Sequence, residues 1–427
     1  MNHLLKKLFG VILVLFVTAN LFTAQTRERF QSVSPGLIAI EKNILPSDSG
    51  LVCYLSYRVS YSNLIFVKNG NGFHAGLTFN LDIKSSDKII ERKSTSNSVS
   101  ISTYDSTNSV DDFLQGVVRF KCDSKDFVVY PYLSILNGNR NFDLDSIKIA
   151  TAKTLKQNVL PPMVVKKNRS SCNPGASFEL VNYQNSIPFS PDDYQLIIPI
   201  NDSTVNQINV KIEQEKKEVF NQNFSDVIHN DLLIKECSPN IVIEKTNPSH
   251  RTKYFVVDGF SPKLNELPAK FTISANGKTI SEFEINVVWE NKPRTLLIPE
   301  LAIQTLSVIE NDEKVDSLLS GDKKDYDKVL TDYWNSKLTD KSTAFNALES
   351  EFYKRADYAL THFSSLNNKN GVKTDRGKVY IQYGKPDEVK REYSESNYVV
   401  EIWVYHRLNK EFVFADKTGL GNYILEK

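Results

Sequence analysis

Residues 31 to about 292 repeat one pattern: short runs of alternating apolar and polar residues, separated by clusters of Asn, Gly, Asp and Ser. In the run over 51–59, Cys53, Leu55, Tyr57 and Val59 share one phase. Since successive side chains of a strand point to opposite faces, this period of two predicts strands with one apolar face. Short strands separated by turn clusters are typical of antiparallel sandwiches.

The pair Pro161-Pro162 interrupts this pattern and marks a linker. A chain of 427 residues has the length of two to four domains, at roughly 100–200 residues each. We therefore predict two tandem antiparallel β-sandwich domains of the immunoglobulin-like kind, at residues 31–160 and 165–292.

The pattern changes at Pro299, where a helical period begins. Helices are predicted over 326–338 and 343–366, within a helical segment at 299–366. The second has a single apolar seam with spacings of three and four, formed by Phe345, Leu348, Phe352, Ala356, Ala359, Phe363 and Leu366. Residues 367–427 return to strands, beginning with 378–383. The predicted fold class is mainly β with an α+β C-terminal part.

Residues 1–24 have the layout of a secretory signal peptide. Lys6 and Lys7 precede an apolar run over 8–17, and small residues follow as far as Ala24. Cleavage after Ala19 and an uncleaved anchor are the alternatives. We expect an exported protein of the periplasm or cell surface, with no transmembrane segment after cleavage.

The charge and the motifs exclude several functional classes. The chain has 52 basic and 51 acidic residues, so a nucleic-acid partner is not expected. It lacks H-E-x-x-H, G-x-S-x-G, P-loop and G-x-G-x-x-G motifs, and its six histidines are scattered singly. We predict no catalytic residues, no metal and no cofactor.

The four cysteines form no C-x-x-C pair, which argues against zinc and redox motifs of that kind. Two fall in each predicted β-domain, and in an oxidising compartment they predict the disulfides Cys53–Cys122 and Cys172–Cys237. The first is favoured because both residues lie in the core-facing phase of their strands. Four separate thiols are the alternative.

The densest motif runs from Gly371 to Glu388, Gly-Val-Lys-Thr-Asp-Arg-Gly-Lys-Val-Tyr-Ile-Gln-Tyr-Gly-Lys-Pro-Asp-Glu. It resembles the signature of the GWxTD domain family, a set of exported bacterial proteins. Val372 stands where the signature has Trp. We interpret the side chain at this position as one that packs in the hydrophobic core, rather than one that binds a ligand. The resemblance implies that 367–427 form a small β-rich GWxTD module. Residues that match the family motif or the region around it are Trp334, Asn346, Phe352, Tyr353, Arg355, Ala359, Thr374, Asp375, Arg376, Gly377, Tyr383, Gly384, Pro386, Asp387, Trp403, Tyr405, Phe412, Phe414 and Asp416.

The polar motif residues have a structural and a functional interpretation. The structural one is that they organise turns through backbone hydrogen bonds. The functional one is a polar cleft where Asp375, Asp387, Glu388 and Asp416 converge, as a cation site or as a general acid and base. Outward aromatic residues of the last strands could instead bind carbohydrate or peptide. The candidate binding residues are Thr374, Asp375, Arg376, Tyr383, Asp387 and Asp416.

The leading functional hypothesis is a non-enzymatic binding or scaffolding protein whose partners are other envelope proteins or cell-wall polymer. The rival is a cell-envelope hydrolase that uses the carboxylates of the C-terminal module. A single concave pocket holding Asp375, Asp387 and Asp416 would favour the hydrolase, and carboxylates on separate turns would favour the scaffold.

Overall fold

The computed structural model describes residues 38–47, 50–86, 88–122, 125–136, 138, 141–154, 156–168, 176–248, 251–338, 341–365 and 369–426. The predicted signal peptide lies outside the described residues. The chain is mainly β, with several sheets followed by helices and a small C-terminal sheet. In the ranges given, no helix combines the length and apolar character needed to span a membrane.

The first β-region has two antiparallel sheets, one ordered β1-β2-β6 and the other β3-β4-β7-β8, in which β5 pairs with β4 and β9 with β7. Both sheets contribute to one hydrophobic core. Cys53, Leu55, Tyr57 and Val59 are all buried in it, which confirms the predicted phase of this strand. A short helix, α1 (Thr151–Thr154), follows. The strands are β1 (Ala39–Ser47), β2 (Gly50–Ser60), β3 (Val67–Asn69), β4 (Gly72–Ser85), β5 (Lys88–Ile101), β6 (Phe113–Cys122), β7 (Phe127–Ile135), β8 (Asn141–Asp143) and β9 (Ile147–Ile149).

The predicted Cys53–Cys122 disulfide is wrong for this structure, in which both residues are buried thiols. Both sulfurs lie in the predicted core, but their strands are neighbours in one sheet. Cys53 pairs with Phe120 and Cys122 with Leu51, so the two cysteines are diagonal neighbours, which lie farther apart than directly paired residues. A hydrogen bond with Cys122 and, to a smaller extent, burial raise the pKa of the Cys53 thiol well above its usual value.

Cys237, at the end of a strand in the second β-region, is disulfide-bonded. Its predicted partner Cys172 lies outside the described residues, so that pairing stays a prediction.

Thiol titration of the unfolded, unreduced protein should therefore find two thiols. Alkylation of the folded protein should label Cys53 slowly, because its side chain is buried and its thiolate is disfavoured. A count of zero would mean that Cys53 and Cys122 do form a bridge, and a count of four would contradict the disulfide at Cys237.

The second β-region has a seven-stranded sheet, ordered β16-β19-β13-β10-β11-β18-β17, and a four-stranded sheet, ordered β15-β14-β20-β21. One hydrophobic core lies between them. β12 and β22 form a parallel pair beside these sheets. The strands are β10 (Met163–Lys167), β11 (Ala176–Leu180), β12 (Ile187–Pro188), β13 (Gln195–Ile200), β14 (Ile208–Gln214), β15 (Lys217–Phe224), β16 (Val227–Ile228), β17 (Asp231–Cys237), β18 (Asn240–Thr246), β19 (Lys253–Val257), β20 (Ala269–Ala275), β21 (Lys278–Ile285) and β22 (Val287–Val288).

The seven-stranded sheet is covered on both faces. In β13, Leu196 and Ile198 face the core shared with the four-stranded sheet, whereas Ile197 belongs to a different core. That second core includes Leu45 and Tyr54 from the outer face of the first β-region. The two β-regions are therefore packed through a shared hydrophobic layer.

The helical part follows and shares one core with the last sheet. The predicted helix over 326–338 is confirmed as α4, whereas the helix predicted over 343–366 is shorter, because Asn346 caps its N-terminus. Leu348 of the predicted seam is 54% exposed, and Tyr353, outside the predicted seam, is fully buried instead. Leu366 lies outside the described residues. The helices are α2 (Pro299–Thr305), α3 (Asp312–Leu319), α4 (Tyr326–Lys337) and α5 (Ala347–His362).

The C-terminal part differs from the prediction in its first element. Residues 378–383, predicted as a strand, belong to helix α6 (Asp375–Tyr383). The antiparallel sheet that follows is ordered β23-β24-β25-β26. Its inner face packs on α6 and α5 through Trp403, Tyr405 and Phe414. The strands are β23 (Glu388–Tyr393), β24 (Val399–Tyr405), β25 (Lys410–Asp416) and β26 (Ile424–Leu425).

Candidate functional site

The predicted binding residues begin at a sharp turn between α5 and α6. A 3-10 turn, Gly371–Lys373, is capped by Asn370, whose side chain accepts a hydrogen bond from the Val372 amide. Thr374 then caps α6: its Oγ1 accepts from the Gly377 amide at 3.1 Å and donates to the Gly371 carbonyl at 2.7 Å. The role of Thr374 here is to join the turn to the helix.

Two glycines allow this turn to pack more closely than any other residue would permit. A Cβ on Gly371 would lie 1.9 Å from the Ala359 carbonyl oxygen of α5. A Cβ on Gly377 would lie 1.9 Å from the Gly371 carbonyl oxygen. Both clashes are with backbone, which cannot rotate away. The spacing of these glycines in the motif therefore reflects backbone contact between α5, the turn and α6.

Val372 lies between these glycines and is 3% exposed, within the core shared by the helices and the C-terminal sheet. At this position the side chain contributes to packing rather than to a surface, in agreement with our interpretation of the Trp-to-Val departure.

Arg376 extends from the first turn of α6 into a buried polar cluster. Its Nη1 lies 3.4 Å from Oε1 of Glu401, which also accepts from Trp403 Nε1 at 2.7 Å. The second oxygen of Glu401 accepts from Arg391 Nε at 2.8 Å. The Arg376 guanidinium lies over the ring of Tyr423, 3.8 Å from its centroid. Glu401 is thus a buried carboxylate with three donors, which joins α6 to β23 and β24.

Glu401 was not among the predicted site residues, although the sequence carries a signal for it. It shares the phase of Trp403 and Tyr405 in β24, the phase that faces the core. A carboxylate in the buried phase of a strand requires partners, because an isolated buried charge is costly. Together with an arginine in the motif, that position could have indicated a buried ion pair.

The three candidate aspartates each accept a hydrogen bond from a different backbone segment. Asp375 accepts from the Leu425 amide at 3.0 Å, and Asp387 from the His406 amide at 2.7 Å. Asp416 accepts from the Gly421 amide at 2.7 Å. Burial would raise the pKa of Asp416, but hydrogen bonds from the turn outweigh burial and lower that pKa below its usual value. The arrangement organises backbone and forms no common carboxylate pocket.

The remaining predicted residue, Tyr383, ends α6 and packs on Phe412 with ring centroids 5.0 Å apart. Arg355 of α5 donates to the carbonyls of Ile381 and Gln382, which are left over at the end of α6. Gly384 follows with a φ of +83°, and a Cβ there would meet the Arg355 guanidinium at 3.1 Å. These residues form the C-terminal cap of α6.

In the part of the chain that the structure describes, no group of three or more His, Cys, Asp or Glu is arranged to hold a metal ion. Glu388, the fourth carboxylate of the predicted cleft, is exposed and lies 3.6 Å from Lys390.

One acidic residue near the start of α5, Glu349, has a shifted pKa. Burial raises the pKa of Glu349 to about 7, Lys292 opposes this shift and Glu266 adds to it. Because the folded state holds the proton more tightly than the unfolded chain, this group stabilises the fold fully below the unfolded pKa. That contribution is lost as pH rises through 7.

Replacing Glu349 with Gln should therefore raise the free energy of unfolding at pH 8 by about 1–2 kcal/mol, with little change at pH 4. Denaturant unfolding at several pH values measures this. Glu313→Gln, at an exposed position in the first turn of α3, is the control and should leave the pH profile unchanged. Parallel pH profiles for the wild type and Glu349→Gln would contradict the prediction.

These observations define a β-rich protein whose helical C-terminal part ends in a small sheet, joined by a Gly-x-x-Thr-Asp-Arg-Gly turn. Residues 269–426 match the family model of the GWxTD domain, so this part of the chain carries that domain. The match begins at the first residue of β20, so it includes the last three strands of the second β-region, β20, β21 and β22, as well as the helices and the C-terminal sheet.

The comparison with curated proteins finds no match to this chain. Among solved structures, the chain is similar to "Structure of the S-layer protein SbsC, domains 5-6", with 11% sequence identity and a TM-score of 0.18. The alignment covers 59% of this chain and 96% of that chain.

Proposed function

We propose that this chain is an exported, non-enzymatic binding or scaffolding protein of the bacterial periplasm or cell surface. Its partners would be other envelope proteins or cell-wall polymer. One observation carries the proposal: the polar residues of the motif are engaged in building the fold. Thr374 caps a helix, and Arg376 pairs with buried Glu401. Asp375, Asp387 and Asp416 each accept from the backbone of a different segment.

A hydrolase that uses acid–base catalysis needs two carboxyl groups that both reach the scissile bond of one bound substrate. Carboxylates that accept hydrogen bonds from different backbone segments do not supply that arrangement. Two immunoglobulin-like sandwiches in front of the module would serve as a rigid body that presents it, an assignment by analogy with other tandem sandwiches. Residues 1–24 would direct export as a signal peptide and would then be removed.

The test uses the mature full-length protein with an affinity tag on an exposed terminus. Incubated with envelope extract and, separately, with purified cell-wall polymer, it should retain a specific partner in a saturable manner. Mass spectrometry of the exported protein should find its N-terminus between residues 20 and 26.

Release of soluble fragments from envelope material would contradict the non-enzymatic proposal, provided that the double variant Asp375→Asn/Asp416→Asn abolished the release. Saturable retention without fragment release is the result that the proposal requires. A protein found only with an intact Met1 in the membrane fraction would contradict the predicted export and cleavage.

A further inference from the structure

A cavity of about 390 Å³ lies where the two β-regions meet the start of α5. Arg58 and Phe113 line it from the first β-region, Phe189 and Trp289 from the second, and Phe345 from the segment before α5. It is distant in sequence from the GWxTD turn, and none of the motif residues lines it. Its volume is in the range of small-molecule sites, about 300–1,000 Å³.

One wall of the cavity is aromatic. Phe189, Trp289 and Phe345 form a triangle of edge-on rings, with centroids 5.5, 5.2 and 5.4 Å apart. All three side chains are only partly buried, so part of each ring faces the cavity. Three converging rings offer a ligand a broad apolar surface of fixed shape.

The buried charges of the cavity are neutralised within the protein. Arg58 is paired with Glu290 and lies between the rings of Phe113 and Tyr183, at 4.2 and 4.1 Å from their centroids. Glu179 is paired with Lys166 at 3.1 Å. A charged group of a ligand would therefore find no unpaired buried charge of opposite sign in this cavity.

Arg58 is 8% exposed and its Nε atom has almost no exposed surface, so a ligand in the cavity would contact polar groups at the rim rather than this atom. The exposed carboxylates Asp112 and Asp192 at the rim can accept hydrogen bonds, and they would repel an anionic ligand.

From these features we propose that the cavity binds a neutral, polyhydroxylated ligand, namely a short neutral oligosaccharide. The C–H face of a sugar ring would pack on the Phe189, Trp289 and Phe345 wall. Hydroxyl groups of the sugar would donate hydrogen bonds to Asp112 and Asp192. This site goes beyond the proposed function and is tested separately from it.

Isothermal titration of the full-length mature protein tests the inference with cellotriose, maltotriose, mannotriose and triacetylchitotriose. At least one should bind saturably with a dissociation constant below about 1 mM. Phe345→Leu, which keeps an apolar side chain but removes the ring, should weaken that binding at least tenfold. Phe283→Leu is the matched control, because its ring stacks on Phe271 away from the cavity, and it should bind as the wild type does.

Should Phe345→Leu fail to unfold cooperatively, Asp112→Ala replaces it and should weaken binding at least fivefold. The inference is overturned if none of the four sugars binds, or if trigalacturonate or trilysine binds while no neutral sugar does. It is also overturned if the folded cavity variant binds as tightly as the wild type.

Discussion

Replacing Gly371 with Ala should destabilise the protein by about 3 kcal/mol, at the upper end of the usual cost of overpacking. The new methyl group would be placed 1.9 Å from the Ala359 carbonyl oxygen. Because the obstacle is the backbone of a buried helix, relief requires α5 and the turn to separate. Their separation would disturb the Thr374 cap that follows. Denaturant unfolding followed by tryptophan fluorescence measures the loss, since Trp334 and Trp403 lie in the affected core.

Gly321→Ala is the matched control for this substitution. A Cβ at Gly321 would have nothing within 4 Å, and the position is exposed. Its effect should stay within about 0.5 kcal/mol. If Gly371→Ala were equally mild, the close contact between α5 and the turn would not exist in solution.

Replacing Glu401 with Gln should cost about 3–5 kcal/mol, the usual result of breaking a buried ion pair by removing one charge. Arg376 would keep its buried positive charge, and its cation–π contact with the Tyr423 ring would replace the lost ion pair only weakly. A carboxylate has two acceptor oxygens, whereas the Gln amide has one oxygen and one NH2 group, which is a donor. The Gln side chain therefore cannot accept hydrogen bonds from all three of Arg376, Arg391 and Trp403.

Glu388→Gln in the neighbouring strand is the control, since it removes an exposed carboxylate of the same sheet. Its ion pair with Lys390 is half exposed on both sides, and its loss should cost less than about 1 kcal/mol. Equal stabilities of the two variants would show that Glu401 is solvated rather than enclosed.

The strands were predictable where the two faces differ in polarity. In β2, the apolar phase of Cys53, Leu55, Tyr57 and Val59 alternates with Tyr54, Ser56 and Arg58, so alternation identifies the strand although both faces are buried. The same reasoning failed at 378–383. Val379 and Ile381 alternate as in a strand, but both are buried because α6 is enclosed on more than one side. The capping residue Thr374 and the acidic Asp375 after it were the local signals for a helix.

Long-range packing set the limits of the other predictions. Apolar residues at spacings of three and four do not show how wide the buried face of a helix is. The predicted seam of α5 therefore included the exposed Leu348 and left out the buried Tyr353. The cysteine prediction identified a shared core but not which strands are neighbours, which is a property of topology. The cavity beside Trp289 was beyond sequence reasoning, because it is formed by residues from three distant parts of the chain.

The hydrophobic layer between the two β-regions limits how such a chain can be rearranged in evolution. The face of the seven-stranded sheet that carries Ile197, Ile243 and Tyr254 is apolar because Leu45 and Tyr54 cover it. A related chain that lost the first β-region would expose that face to solvent and would self-associate. Such a relative must either carry polar residues at these positions or supply another cover. The first β-region and the sheet that it covers therefore form one packing unit, and the first cannot be removed without changes in the second.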